Sequence, residues 1–331
     1  MLVFDTRWAG PHGIGRFAAE VRRRLPGQVV DVAGAHPVSL RGLAASEVLP
    51  HVTARGRERG VTYFSPGFTP CLSWRGTHAF TVHDLIHLDV PAEQSRAKSD
   101  YYDQVVRRAV RREAGAVLTV SRFSRDRIAE WAGVPAERIT VVGNGVDAAY
   151  APHGRTAVPS WGPYVLHVGN HKPHKNLTRL VLAMSRVPDV TLALTGDPDD
   201  ALLALAERQG SAGRLRFLGR VPEADLPAWY RGAAAVAIPS LYEGFGLPAL
   251  EGMACGVPVV ASGTTALAEV VADAGVAVVP DDVASITAGI EAALGDAGLR
   301  ARLATAGPER AAQFSWDRVG AAVNSALGVH S

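Results

Sequence analysis

The chain has 331 residues, 47% hydrophobic and 20% charged, with a formal net charge of +2. That balance excludes a disordered polymer, and the length favours two cores, because a single core rarely grows past ~250–300 residues. Two cysteines, Cys71 and Cys255, make neither a disulfide framework nor a zinc-ligand set, and no signal peptide or run of ~18 apolar residues is present, so the expectation is a cytoplasmic chain without a membrane span.

Charge is unevenly placed. Residues 1–155 carry 21 Lys and Arg against 15 Asp and Glu, whereas residues 156–331 carry 13 against 17. The basic half, with runs at Arg22-Arg23-Arg24, from Arg55 to Arg59, and at Arg107-Arg108 and Arg111-Arg112, reads either as solvated helix faces or as a peripheral surface for an anionic acceptor or the inner face of a membrane. Nucleic acid is not expected as a partner, because no aromatic side chains interleave with these runs to stack on bases.

In chain order, β-rich runs at 2–5, 29–32, 62–64, 79–82, 116–120 and 139–142 alternate with helical stretches, the pattern of a parallel sheet covered by helices. The first strand leads into Gly10-Pro11-His12-Gly13-Ile14-Gly15-Arg16 and a helix containing Phe17 and Val21. This loop lacks the full Gly-x-Gly-x-x-Gly dinucleotide fingerprint, so an ordinary tight turn competes with a phosphate-side loop. Strand 79–82 ends in His83-Asp84-Leu85, at the carboxyl end where open α/β sheets bind ligands. Ser121 and Asn144 stand on loops where a helix cap and a turn compete with ligand contact.

Pro and Gly concentrate at 151–163, which reads as a linker between lobes 1–155 and 156–310 that face each other across a cleft. A second strand set follows at 164–168, 191–194, 215–218, 235–238, 258–261 and 276–279. Asn170-His171-Lys172-Pro173-His174-Lys175-Asn176 lies between its first strand and a helix, and Gly219-Arg220-Val221 follows its third. Asp199-Asp200 and Asp281-Asp282 look like loop acids, not a metal clamp, so no metal is expected.

The richest window is Glu243-Gly244-Phe245-Gly246-Leu247-Pro248-Ala249-Leu250-Glu251, after strand 235–238. Pro248 suits the first helical position, which places Glu243 on a loop and Glu251 in the first turn. Free N–H groups at such a helix start favour a diphosphate, with one carboxylate left for sugar hydroxyls and the other for ribose. In the last segment, 311–331, Trp316, Val319, Val323 and Leu327 form the apolar stripe of a packing helix.

The Glu243 to Glu251 window resembles the Glu-x7-Glu motif of glycosyltransferase family 4, whose members have the α/β GT-B fold of two Rossmann-like lobes. The other segments resemble that family in the same order along nearly the whole chain. The resemblance implies a retaining hexosyltransferase, mannosyl- or rhamnosyltransferase-like, that uses a nucleotide-diphosphate sugar as co-substrate and no cofactor. It assigns Glu243 and His83 to the transferred sugar and Glu251 to the ribose. Lys175, Gly13, Gly15, Asn170, Lys172 and the Gly244-Phe245-Gly246-Leu247 amides fall to the diphosphate, and Val221 to the base. Arg16, Asp84, Ser121 and Asn144 become auxiliary or acceptor-side residues, with Asp84 a candidate to orient His83. Many members carry an arginine several residues before the lysine; this chain has Asn170, His171 and Lys172 there. The same likeness implies that residues 311–331 cross back to the first lobe. A front-face path is favoured over a covalent Glu243 adduct, because the leaving phosphate can take the acceptor's proton. The acceptor is a carbohydrate, a lipid-linked sugar or a small molecule. Competing readings are a nucleotide-sugar epimerase on the same fold and a non-catalytic sugar-nucleotide-binding subunit.

Overall fold

The computed structural model describes the chain except Pro11, His36, Val38, Ser39, residues 55–59, Glu113, Ala114, His330 and Ser331. The Arg55 to Arg59 run and Pro11 of the glycine-rich loop therefore lie outside the described residues. Contacts divide the chain into two units, Met1–Gly145 with Trp316–Ser331, and Val146–Ser315. The division falls at 145 and 315, not at 155 and 310, because the segment after Gly145 packs within the second unit. Arg231 donates there to the carbonyls of Ala149, Ala151 and Arg155, and the Ala157 N–H donates to Ala228.

In the first unit, β1 (Leu2–Asp5), β2 (Val29–Val32), β3 (Thr62–Ser65), β4 (Thr77–Thr81), β5 (Gly115–Thr119) and β6 (Ile139–Val141) form a six-stranded sheet in the order β2-β1-β3-β4-β5-β6. In the second, β7 (Tyr164–His167), β8 (Thr191–Leu194), β9 (Leu215–Phe217), β10 (Ala235–Ile238), β11 (Val259–Ser262) and β12 (Val276–Val278) form another in the order β12-β11-β10-β7-β8-β9. Every pairing is parallel, for example β10 with β7 through Ala235↔Val165. Strands covered on both faces read as continuous apolar runs, and β1, β7 and β10 are buried at every position.

The strand order reverses beside β1 in the first sheet and beside β7 in the second. Helices leave for opposite faces at such a point, which opens a crevice at the strands' carboxyl ends. In the second unit that crevice lies at the ends of β7 and β10.

Helix Leu177–Ser185 is apolar at helical spacing and buries Leu177, Leu180, Val181 and Met184 in a core with Val165, Leu192, Ile286 and Ile290. Each such side chain contributes about 1.5–3 kcal/mol by leaving water. The last helix, Trp316–Leu327, buries Trp316, Val319, Val323 and Leu327 within the first unit. There Asn324 Nδ2 donates to the Arg24 carbonyl at 3.1 Å, and Arg24 pairs with Asp317 at 2.8 Å.

Much of the arginine excess serves internal bonding. Arg22 pairs with Asp31, Arg23 and Arg24 with Glu20, while Arg111 and Arg112 donate to the carbonyls of Ala132 and Trp74. No helix among the described residues is long and apolar enough to cross a membrane.

Candidate active site

Two segments 68 residues apart in sequence meet at the crevice of the second sheet, where Lys175 Nζ donates to Glu243 Oε1 at 2.7 Å. Lys175 ends the short 3-10 turn Pro173–Lys175, and Glu243 stands five residues beyond the last residue of β10. Ser240 Oγ donates to the same Glu243 oxygen at 2.8 Å. The two charged side chains are 13% and 11% exposed, so the pair is shielded from water. Burial alone would raise the Glu243 carboxyl, but the Lys175 charge and the Lys175 and Ser240 hydrogen bonds outweigh it and hold the carboxyl below its usual 4.5.

Gly246 caps the next helix with φ of 100°, a left-handed conformation natural to glycine, and helix Leu247–Ala254 follows. The helix starts one residue earlier than Pro248 suggests: Pro248 is its second residue and Glu251 its fifth. Glu251 therefore lies in the second turn and not in the first, which holds no acid. Its carboxylate is 3% exposed, and Tyr230 donates to Oε2 at 2.7 Å. Burial, then the Glu251 charge, pushes the Tyr230 phenol well above 10, so it stays protonated as the donor. Glu243 and Glu251 are thus separate anchors with different partners, and neither is a surface glutamate. At the helix start, the amides of Phe245, Gly246 and Leu247 donate to no acceptor among the described residues. The Phe245 ring packs edge-on to Phe314 at 5.7 Å, so Phe245 and Gly244 offer a ligand mainly backbone.

Asn170 Oδ1 accepts the Lys172 amide at 3.3 Å, which leaves the Lys172 side chain exposed on the turn before Lys175. Val221 lines a depression of about 350 Å³ with Leu218, Arg220 and Trp229.

In the first unit, His12 caps helix Gly13–Arg24 by accepting the Gly15 amide at 3.0 Å. A side chain at Gly15 would collide with the Gly10 backbone, with Cβ 2.1 Å from its carbonyl oxygen, so the tight turn itself requires this glycine. Arg16 follows in that helix, half-buried. His83 is buried, and its Nε2–H donates to the Pro66 carbonyl at 2.9 Å. The Pro66 carbonyl thus orients the imidazole, the task given above to Asp84, whose Oδ1 accepts the Ile86 amide at 3.0 Å. Burial pushes the His83 ring to about 4, against the Pro66 bond, so the neutral ring presents Nδ1 as an acceptor. Ser121 Oγ accepts the Ser124 amide at 3.0 Å, and Asn144 keeps a buried Oδ1 without a partner among the described residues.

Three supporting residues were not among the expected site residues: Ser240, Tyr230 and Asn176. Asn176 takes φ of 63° and is buried, donating from Nδ2 to the carbonyls of Pro239 at 2.9 Å and Pro280 at 2.7 Å. It ties the Lys175 turn to the strand end that carries Glu243. Asn after Lys was a visible signal, since Asn tolerates left-handed backbone; the partners of Tyr230 and Ser240 had none. Asn176→Gly keeps the backbone but strands two buried carbonyls. It is expected to cost about 1–3 kcal/mol in a urea titration. Unchanged stability would show that the staple is idle. No set of three or more His, Cys, Asp or Glu side chains suited to a metal occurs among the described residues.

Comparison with known proteins adds three findings. The family described as Glycosyl transferases group 1 matches residues 153–310, and Glycosyltransferase Family 4 matches residues 59–150. The O-antigen chain mannosyltransferase B of Escherichia coli is 36% identical over 253 residues, 72% of this chain and 66% of that protein. Against other curated relatives, such as a glycogen synthase of Mycobacterium tuberculosis, the chain spans about half the length, 53% in that case. Among solved structures, sucrose-phosphate synthase from Thermosynechococcus elongatus superimposes with a TM-score of 0.78 at 18% identity, covering 98% of this chain and 97% of that one. The Anabaena protein HepE, in complex with UDP and glucose, gives 0.76 at 20% identity over 99% of each. At such identities the likeness establishes the shared two-lobed GT-B fold.

Proposed function

Because the chain belongs to glycosyltransferase family 4, we propose that it transfers a hexose or deoxyhexose from a nucleoside-diphosphate sugar to an acceptor hydroxyl, with retention at the anomeric carbon. The observation that carries this reading is the Lys175–Glu243 contact of 2.7 Å at the crevice of the second sheet, beside three unengaged amides of a helix start. The amides and Lys175 would hold the diphosphate. Their positive potential would grow in effect as charge builds on the leaving phosphate, so no metal ion is needed. Glu251 would take the ribose. Glu243 Oε2, which neither Lys175 nor Ser240 occupies, would accept a sugar hydroxyl.

With Glu243 Oε1 tied to two donors, the carboxylate is a poor nucleophile, which favours the front-face path in which the leaving phosphate takes the acceptor's proton. A mannose-like sugar leads, because the curated relative most fully covered among those compared is a mannosyltransferase.

The test is a panel of nucleotide sugars with excess chelator, read first as binding and then as transfer. GDP-mannose is expected to bind and turn over. Glu251→Ala should weaken nucleotide binding, and Glu243→Ala should chiefly lower kcat. The reverse pattern would sink the assignment of roles, loss of activity in chelator would refute metal independence, and donor conversion without acceptor would favour an epimerase.

A further inference from the structure

His167 closes β7 and is fully buried. Its Nδ1 lies 2.8 Å from the Ala237 carbonyl. A carbonyl only accepts, so Nδ1 carries the proton and Nε2 holds a bare lone pair. Burial, working against the Ala237 bond, pushes the ring to about 4, which keeps it neutral near pH 7.

Nε2 is buried and has no hydrogen-bond partner among the described residues. Such an orphan in a native interior calls for an explanation, and its surroundings supply one. A Cβ placed on Gly169 would stand 3.4 Å from His167 Nε2 and 3.6 Å from Lys175 Cε. The missing side chain leaves a methyl-sized space bordered by both the bare acceptor and the end of Lys175. An ammonium has three N–H donors, and Glu243 Oε1 takes one of them.

We infer that His167 is a positioning residue for Lys175: when the donor binds, the ammonium shifts into the space beside Gly169 and donates to His167 Nε2, while its other N–H groups stay on Glu243 Oε1 and the diphosphate. This rests on the donor-site reading above. Without that acceptor, the third N–H of an ammonium in a shielded wall would have to draw in water or pull the ammonium off the phosphate.

The experiment combines two substitutions with a spectrum of the intact protein. His167→Asn keeps a donor where Nδ1 stood but places nothing at Nε2, and His167→Gln restores a polar acceptor there. On the nucleotide sugar that turns over, the Asn variant is expected to raise the donor KM about tenfold with kcat within about twofold, and the Gln variant to recover most of the loss. In the wild-type chain, saturation with UDP-glucose or GDP-mannose, without acceptor, should move the ¹⁵N resonance of His167 Nε2 toward a hydrogen-bonded position and leave Nδ1–H in place. This readout does not depend on either variant folding. If a nucleotide sugar binds, Lys175→Ala weakens that binding, and Nε2 stays still or the Asn variant keeps its KM, the inference about His167 fails alone. If no nucleotide sugar binds, or Lys175→Ala binds as well as wild type, the donor-site reading and this inference fall together.

Discussion

Lys175→Ala is expected to lower transfer by about 10²–10³-fold, the usual cost of deleting one preorganised donor aimed at charge that develops in a transition state. The effect is large because the ammonium is held in a shielded place, with its partner Glu243 only 11% exposed on its side chain. Lysine loss has a second consequence, on folding. It strands a buried carboxylate, and breaking a buried pair in this way typically costs about 3–5 kcal/mol. Lys175→Ala with Glu243→Gln should recover most of the stability, measured by urea unfolding, and none of the activity. That separates the two roles. A single variant with near-normal turnover would remove Lys175 from the mechanism.

The pH dependence follows from the same pair. The Glu243 carboxyl titrates below 4.5 in the folded chain, since Lys175 and Ser240 outweigh its burial. The unfolded chain therefore binds this proton first as pH falls. The pair's stabilisation is fully present above the unfolded value and is lost as pH drops through the lower folded value. Removing Lys175 leaves burial free to raise the carboxyl, so this part of the acid limb should flatten, and the variant should be destabilised less at low pH than at neutral pH. An unchanged limb would mean that the ion pair does not form in solution.

Arg7→Leu is the other substitution with a large expected effect, a loss of about 3–5 kcal/mol from a total that is commonly 5–15. Arg7 and Asp5 both have side chains with no exposure and pair at 2.6 Å. The guanidinium also donates to the Gly42 carbonyl at 3.0 Å and to Ser46 Oγ at 3.1 Å, while the Tyr63 hydroxyl donates to Asp5 at 3.2 Å. Burial opposes the charge on Arg7, but Asp5 more than compensates and raises its pKa. Leucine would leave Asp5 buried without its cation. Asp5→Leu together with Arg7→Leu should be far milder than either single change, because no charge is then stranded. Equal losses for the single and double variants, in urea unfolding, would show that the pair is not coupled.

Much of the fold is legible because its signals are local. Continuous apolar runs mark strands covered on both faces, and all of those expected form, with ends moved by no more than two residues. Glu243, Gly246 and Pro248 mark a strand, loop and helix start in the same way. The Glu251 turn was misjudged because Pro suits both of the first two helical positions, and the choice depends on where Gly246 turns the chain. That Glu251 meets Tyr230, 21 residues earlier in the chain, is decided by packing and not by its position in the turn. The lobe boundary moved to Gly145 for a similar reason: Pro and Gly mark where a chain bends, while Arg231 decides which side the bend packs on.

Sequence by itself determined the two α/β lobes, the places where glycine and proline end strands and begin helices, and the family whose motifs it carries. All of these rest on propensities and spacings within some ten residues. Tertiary structure alone decided that Lys175 meets Glu243, that Tyr230 holds Glu251, that Pro66 turns His83, and that His167 keeps a bare nitrogen beside Gly169. The Lys175 and His167 contacts depend on β7 lying beside β10 and the Pro66 contact on β3 lying beside β4, each a neighbour relation set by crossover connections and by how whole helices cover a sheet. No short stretch of sequence encodes it.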